Sequence, residues 1–236
     1  MNVLIYNEFL HERESEAVRK IYPDGIHGAI KDGISSDALS VRCITLDNVS
    51  EITDELLQDT DVLLWWGHIA HDRVPDEVAN AVVRAVLRGM GAIFLHSGHE
   101  SKAFKLLMGT PCSLTWREDG DRELVWVCDP THPIAKGLGR FINIEHEETY
   151  GEPFDVPTPD ELVFISSFSG GEVFRSGCCY KRGYGKIFYF RPGHESFPIY
   201  YHPDVIKVIN NAIEWARPTL RRMDLSSPGV KPPLAP

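Results

Sequence analysis

The chain has 236 residues, 43% apolar and 25% charged, and a net charge of −10 with histidine neutral. These values are ordinary for a globular protein with one substantial core. The acidic balance argues against nucleic acid or an anionic membrane as partner, since phosphates call for clustered Lys and Arg, and no stretch approaches the roughly 20 apolar residues of a membrane helix.

Met1-Asn2-Val3-Leu4 has no basic region and leads straight into a strand-like run, so no secretory signal is expected. Val3 to Tyr6 reads as the first strand, followed by short helices over Glu14 to Lys20 and Ile26 to Lys31. Val41 to Leu46 reads as a strand, Thr53 to Gln58 as a helix, and Asp61 to Trp66 as a third strand ending at Gly67. Pro75 to Arg88 carries the clearest helical pattern, with Val78, Ala81, Val82, Ala85 and Val86 on one face and Gly89 as its stop. Gly91 to Leu95 is a fourth strand and Ser101 to Met108 the next helix. Alternating strands and helices predict a flavodoxin-like, doubly wound α/β fold with a mostly parallel sheet and helices on both faces.

The second half changes character. Leu114 to Trp116 and Glu123 to Cys128 read as antiparallel strands around a Glu118-Asp119-Gly120-Asp121 turn. Leu162 to Ser166, Val173 to Tyr180 and Lys186 to Phe190 read as further strands, and Pro203 to Arg217 as a closing helix. The half is expected to be an antiparallel β extension that returns to the main sheet, giving one domain over 1–217. A Pro-rich tail over 218–236 cannot build a core, and is expected to be disordered or exchanged with a neighbouring subunit of a homo-oligomer. Five cysteines, an odd number with no CxxC spacing, suit reduced thiols in a cytoplasmic protein.

Ten histidines is a high number for this length. The word Gly98-His99-Glu100-Ser101 recurs as Gly193-His194-Glu195-Ser196, each copy just past a buried-strand run. Ligands in open α/β sheets bind beyond the carboxyl ends of the strands. That rule delivers His68 and His71, His96 and His99, and His194 and Glu195 to one edge. The segment Glu145-His146-Glu147-Glu148-Thr149-Tyr150 has to fold over that edge to join them. Imidazoles suit proton transfer near neutral pH and Zn²⁺ binding, with carboxylates as partners or bases. The spacings match no strong metal signature, and His-Glu-x-x-His is absent.

Ser97 is the nucleophile candidate at the turn after the fourth strand, but it lacks the Gly two positions earlier that a sharp elbow favours, which disfavours a covalent mechanism. Trp66 and Tyr150 are the aromatic faces nearest the polar clusters, whereas Trp126 reads as core. No Gly-x-Gly-x-x-Gly or P-loop occurs, so no nucleotide cofactor is expected.

These motifs carry a family resemblance. A strand ends in Trp66-Gly67 with His68 after it, and a second strand leads to His96-Ser97. Asp129-Pro130-Thr131-His132-Pro133-Ile134 and Glu147-Glu148-Thr149-Tyr150 follow, then Gly185-Lys186-Ile187-Phe188-Tyr189 leading to Pro192-Gly193-His194. In this order they resemble the trehalose-utilisation, or ThuA-like, family over about Met1 to Arg217. The resemblance implies a fold like the class I glutamine amidotransferases, with the region of Ser97 at the nucleophile turn and that of His194 at the catalytic histidine. No Cys stands at the turn, so glutamine hydrolysis is not carried over.

The resemblance further implies a role in disaccharide catabolism, including 3-keto sugar derivatives, and hence a small-molecule carbohydrate partner. Such chemistry assigns His99, His194 and Glu148 as base and acid, and Trp66, Ser97, Tyr150 and Glu195 as substrate-binding. His68, His71 and His146 would ligate a divalent metal, zinc first, in a metal-assisted hydrolase or lyase. Two other classes compete: a non-catalytic sugar- or metal-binding regulatory module, and a degenerate serine hydrolase using Ser97.

Overall fold

The computed structural model describes residues 1–34 and 36–229. Four short strands come first, β1 (Asn2–Asn7), β2 (Ser40–Thr45), β3 (Val62–Trp66) and β4 (Gly91–Leu95). The longer β5 (Thr115–Val127), β6 (Phe141–Gly151), β7 (Glu161–Phe168) and β8 (Val173–Arg182) follow, and β9 (Gly185–Phe190) is the last. All belong to a nine-stranded sheet of order β2-β1-β3-β4-β9-β8-β7-β5-β6. Pairing is parallel from β2 to β9 and antiparallel from β9 to β6. The fold is therefore α/β and doubly wound, with an antiparallel extension whose last strand, β9, re-enters the parallel half.

Helices cover both faces. α4 (Asp54–Asp59), α5 (Asp76–Arg88) and α6 (Lys102–Met108) face one side; α1 (His11–Glu14) and α2 (Glu16–Ile21) precede α3 (Gly25–Ile34), which packs with α7 (Pro203–Ala216) on the other. Period-two alternation along the fully buried strands feeds both cores. Leu63 and Trp65 of β3 join Val78, Val82 and Phe104, whereas Val62, Leu64 and Trp66 join Ile26, Ile30 and Ile209.

Three readings are corrected. Glu118 to Asp121 is not a hairpin turn: β5 runs straight through it against β6, with extra residues bulged out of β5 before Asp121 and out of β6 between Ile144 and Glu147. Gly120 takes a left-handed φ of +69° there, and Arg117 pairs with Asp119, Asp121 and Glu172 around it. The segment around His146 is not a loop over the edge but strand β6 itself. Trp126 is half-buried, with Arg140 and Phe141 over its ring. Along the tail, Arg221 bonds to Gln58 and Thr60 carbonyls and pairs with Asp61, and Arg222 N–H donates to Arg88 O. The stretch up to Arg222 thus lies along its own chain; residues 230–236 of the expected tail lie outside the described residues.

Candidate functional site

β1, β3, β4 and β9 end at one edge, and each is followed by a polar turn. After β4 the turn is strained at His96, whose φ of +51° is rare for a residue with a Cβ. This architecture uses such an elbow to present a side chain above the sheet. Here it presents an imidazole, not the Ser97 hydroxyl. Ser97 Oγ lies 2.7 Å from Tyr150 Oη and hydrogen-bonds no histidine among the described residues. After β9, Gly193 has a φ of +149°, and a Cβ there would meet Tyr200 Oη at 2.0 Å. Only glycine lets the turn pass and bring His194 and Glu195 inward.

The imidazoles converge. Ring centroids of His68, His96 and His194 lie 5.3–5.4 Å apart. Ligand atoms of these three and Glu195 all fall within 4.8 Å of one another. His68 Nδ1 is 3.4 Å from Glu195 Oε2 and 2.9 Å from Nε2 of His11, which itself lies 3.3 Å from Glu195 Oε1. His96 Nε2 is 3.2 Å from Glu148 Oε2. The His96 Nε2, His194 Nε2, Glu148 Oε2 and Glu195 Oε2 atoms are buried with no hydrogen-bond partner among the described residues. Buried polar atoms are ordinarily satisfied, so this concentration is a signal in itself.

Neighbours set the tautomers. His96 Nδ1 faces the Arg191 carbonyl, which can only accept, so Nδ1 carries the proton and Nε2 keeps its lone pair. His99 is arranged likewise against Cys112 O at 2.8 Å. His194 is the reverse. Its Nδ1 accepts from Ser196 N–H, placing the proton on Nε2 and making the ring a donor toward Glu118 and Glu195, each 3.8 Å away.

Burial, aided by mutual repulsion, drives His68 down to about 2 and His194 to about 3, while burial drives His99 to about 4. Burial pushes Glu195 up to about 8 and raises Glu148. The site is a set of neutral imidazoles beside carboxyl groups more basic than usual.

Two buried carboxylates hold the turns. Glu8 accepts backbone N–H groups of His68, Ile69 and Ala70, and Glu147 those of Glu148, Gly193 and His194. Arg191, fully buried, lies 2.6 Å from Glu123 Oε2 and 3.6 Å from Glu147 Oε2, with its guanidinium over the Tyr150 ring. A cleft of about 350 Å³ opens over the group, lined by His68, Ser97, His99, Glu148, Tyr150 and, at its mouth, Trp116.

Of the residues singled out in the sequence, His68, His194, Glu195, Glu148, His99, Ser97 and Tyr150 meet around this cleft. His71 packs against Gly67 beside the group but outside it. His146 is exposed on β6, bonded to Gly120 O and stacked on Phe197, apart from the imidazoles of this cleft. Trp66 is fully buried and donates from its indole N–H to Gly193 O, so it supports the floor and offers no face to the cleft. Sequence reasoning missed His11, Glu8 and Arg191, and it gave Glu147, named within its cluster, no role of its own. The signal for His11 and Glu8 was present: they follow β1, whose end lies at the same edge as those of β3 and β4.

No curated protein matches the chain. The chain matches the ThuA family, described as trehalose utilisation, over residues 2–216. A ThuA-like protein from Bacteroides uniformis is 15% identical, with a TM-score of 0.65 over 92% of this chain and 91% of that one. The cytoplasmic protein STM1381 from Salmonella typhimurium is 9% identical, with a TM-score of 0.61 over 92% and 100%. A GMP synthase protein from Thermoplasma acidophilum is 16% identical, with a TM-score of 0.53 over 91% and 95%. At these identities the likeness is one of fold, and that fold is the glutamine amidotransferase-like one. Among the described residues no helix is long and apolar enough to cross a membrane.

Proposed function

Since the chain belongs to the trehalose-utilisation family, we propose that it is a carbohydrate-processing enzyme that cleaves a disaccharide or 3-keto-glycoside by metal-assisted acid–base chemistry. The observation that carries this reading is the set of unpartnered buried imidazole and carboxylate atoms at the strand edge. Two of these atoms, His96 Nε2 and Glu195 Oε2, are the test of fit for a metal, with the imidazole of His68 beside them. His68, His96 and Glu195 offer two imidazoles and one carboxylate within 4.8 Å, a donor set suited to a catalytic zinc that keeps an open position. Bound there, the ion would polarise the substrate ketone as a Lewis acid.

The rest of the chemistry belongs to the side chains. In a 3-keto-glycoside the hydrogen on the carbon between ketone and anomeric centre is acidic. Glu148, made more basic by burial, takes that proton. The electron pair left behind forms a C=C bond as the anomeric C–O bond breaks onto the glycosidic oxygen. His194, with its proton on Nε2, hydrogen-bonds that oxygen, and the proton taken up by Glu148 passes to it. Addition of water to the unsaturated ring then completes a net hydrolysis. His99 Nε2 accepts a sugar hydroxyl, and Ser97 and Tyr150 orient the ring from the floor. We place the protein in the cytoplasm, a reading supported by its five free cysteines.

The test is turnover of 3-keto-trehalose by the purified protein. The reading expects release of free glucose, with kcat reduced at least about 100-fold in both Glu148→Gln and His194→Gln. Binding without release, or release undiminished in both variants, would contradict it; the first outcome favours a sugar-binding module.

A further inference from the structure

We propose that Trp116 and Ile69 form a second sugar subsite at the mouth of the cleft, for the ring on the far side of the glycosidic bond. The inference rests on the reading of the cleft as a site for a glycoside. Trp116 is 64% exposed and Ile69 56%, and both line the same cleft as His68, Glu148 and Tyr150. Large apolar side chains exposed together at the rim of a polar cleft mark a ligand surface more often than isolated ones do.

Register fixes where the indole stands. Trp116 lies directly opposite Tyr150 in the antiparallel β5–β6 pair, and opposite residues share a face of the sheet. Tyr150 is in the floor, 2.7 Å from Ser97, so Trp116 continues that wall outward. The other tryptophans are occupied: Trp65 stacks on Tyr6, Trp66 abuts His11, Trp126 carries Arg140, and Trp215 carries Lys186. Among the described residues Trp116 has no such ring or cation partner. An aromatic face left open beside a polar rim matches a pyranose, whose C–H face is apolar and whose edge is hydroxyl. Glu118, half exposed and 3.8 Å from His194, is placed to accept from those hydroxyls where rim meets floor.

The polar floor thus takes the ring that reacts, and the apolar rim takes the ring that leaves. The consequence is selectivity for two-ring over one-ring substrates, set at Trp116. It is measured as the ratio of kcat/KM for 3-keto-trehalose to that for methyl 3-keto-α-glucoside. Trp116→Ala is expected to lower the ratio about tenfold, chiefly through KM for the two-ring substrate, and Trp116→Phe to restore most of it. Trp116 is on the surface, so the variants fold, which thermal unfolding checks. A second arm titrates trehalose against tryptophan emission in the wild type and in Trp116→Phe. A response present only in the wild type supports the subsite, even if no keto-glycoside is turned over, in which case the acid–base reading alone falls. An unchanged substrate ratio in Trp116→Ala overturns the subsite and leaves that reading standing. If trehalose produces no response and no keto-glycoside is turned over, both fall.

Discussion

His99 shows how one side chain reports on the site. It is buried, its Nδ1–H donates to Cys112 O, and burial holds its pKa near 4 against 6.5 in the unfolded chain. A depressed value means that the unfolded chain takes up the proton first. The stability His99 lends is complete above pH 6.5 and is lost as pH falls from there toward about 4, by at most about 1.4 kcal/mol per pH unit. Thermal unfolding across pH 6.5 to 4 should therefore show a steep loss of Tm in the wild type, with a shallower slope in His99→Gln. Equal slopes would mean that His99 is free to protonate in the folded protein.

At the scale of elements, the parallel half was legible, as were β7, β8 and the second part of β5 in the antiparallel half, whereas β6 was not. β1, β3 and β4 are short apolar runs closed by polar turns, so pattern and fold agree. β6 is the opposite case. Its burial alternates only as far as Ile144, then Glu145 and His146 face out while Glu147 to Gly151 are all buried. An extra residue in β6 between Ile144 and Glu147 causes this break in period, and a strand with two consecutive buried glutamates reads as a polar loop. The buried positions of Glu147 and Glu148 become intelligible only with Arg191 and His96 beside them, partners distant in sequence. Gly120 is the hinge of the irregularity. A Cβ there meets nothing closer than Phe197 at 3.6 Å, so a substitution costs backbone strain alone. Gly120→Ala should lower unfolding stability by about 1–2 kcal/mol in denaturant titration. A neutral result would show that the left-handed residue is dispensable and that β5 can pair without its bulge.

For the whole molecule, the sheet acts as a rigid frame whose carboxyl edge gathers side chains from the two ends of the chain, His11 near one and His194 near the other. The rule that ligands bind beyond parallel strand ends was enough to bring His68, His99 and His194 to one edge, and His146, which the rule does not cover, stands apart from them. Closing that edge buries several neutral imidazoles and leaves ligand atoms unpaired, a cost that the proposed cation would offset. The account stands most directly on calorimetric titration of Zn²⁺ into chelator-treated protein at neutral pH. It predicts one equivalent bound by the wild type and an affinity at least about 100-fold weaker in His96→Ala. No uptake by the wild type, or equal uptake by the variant, would contradict it.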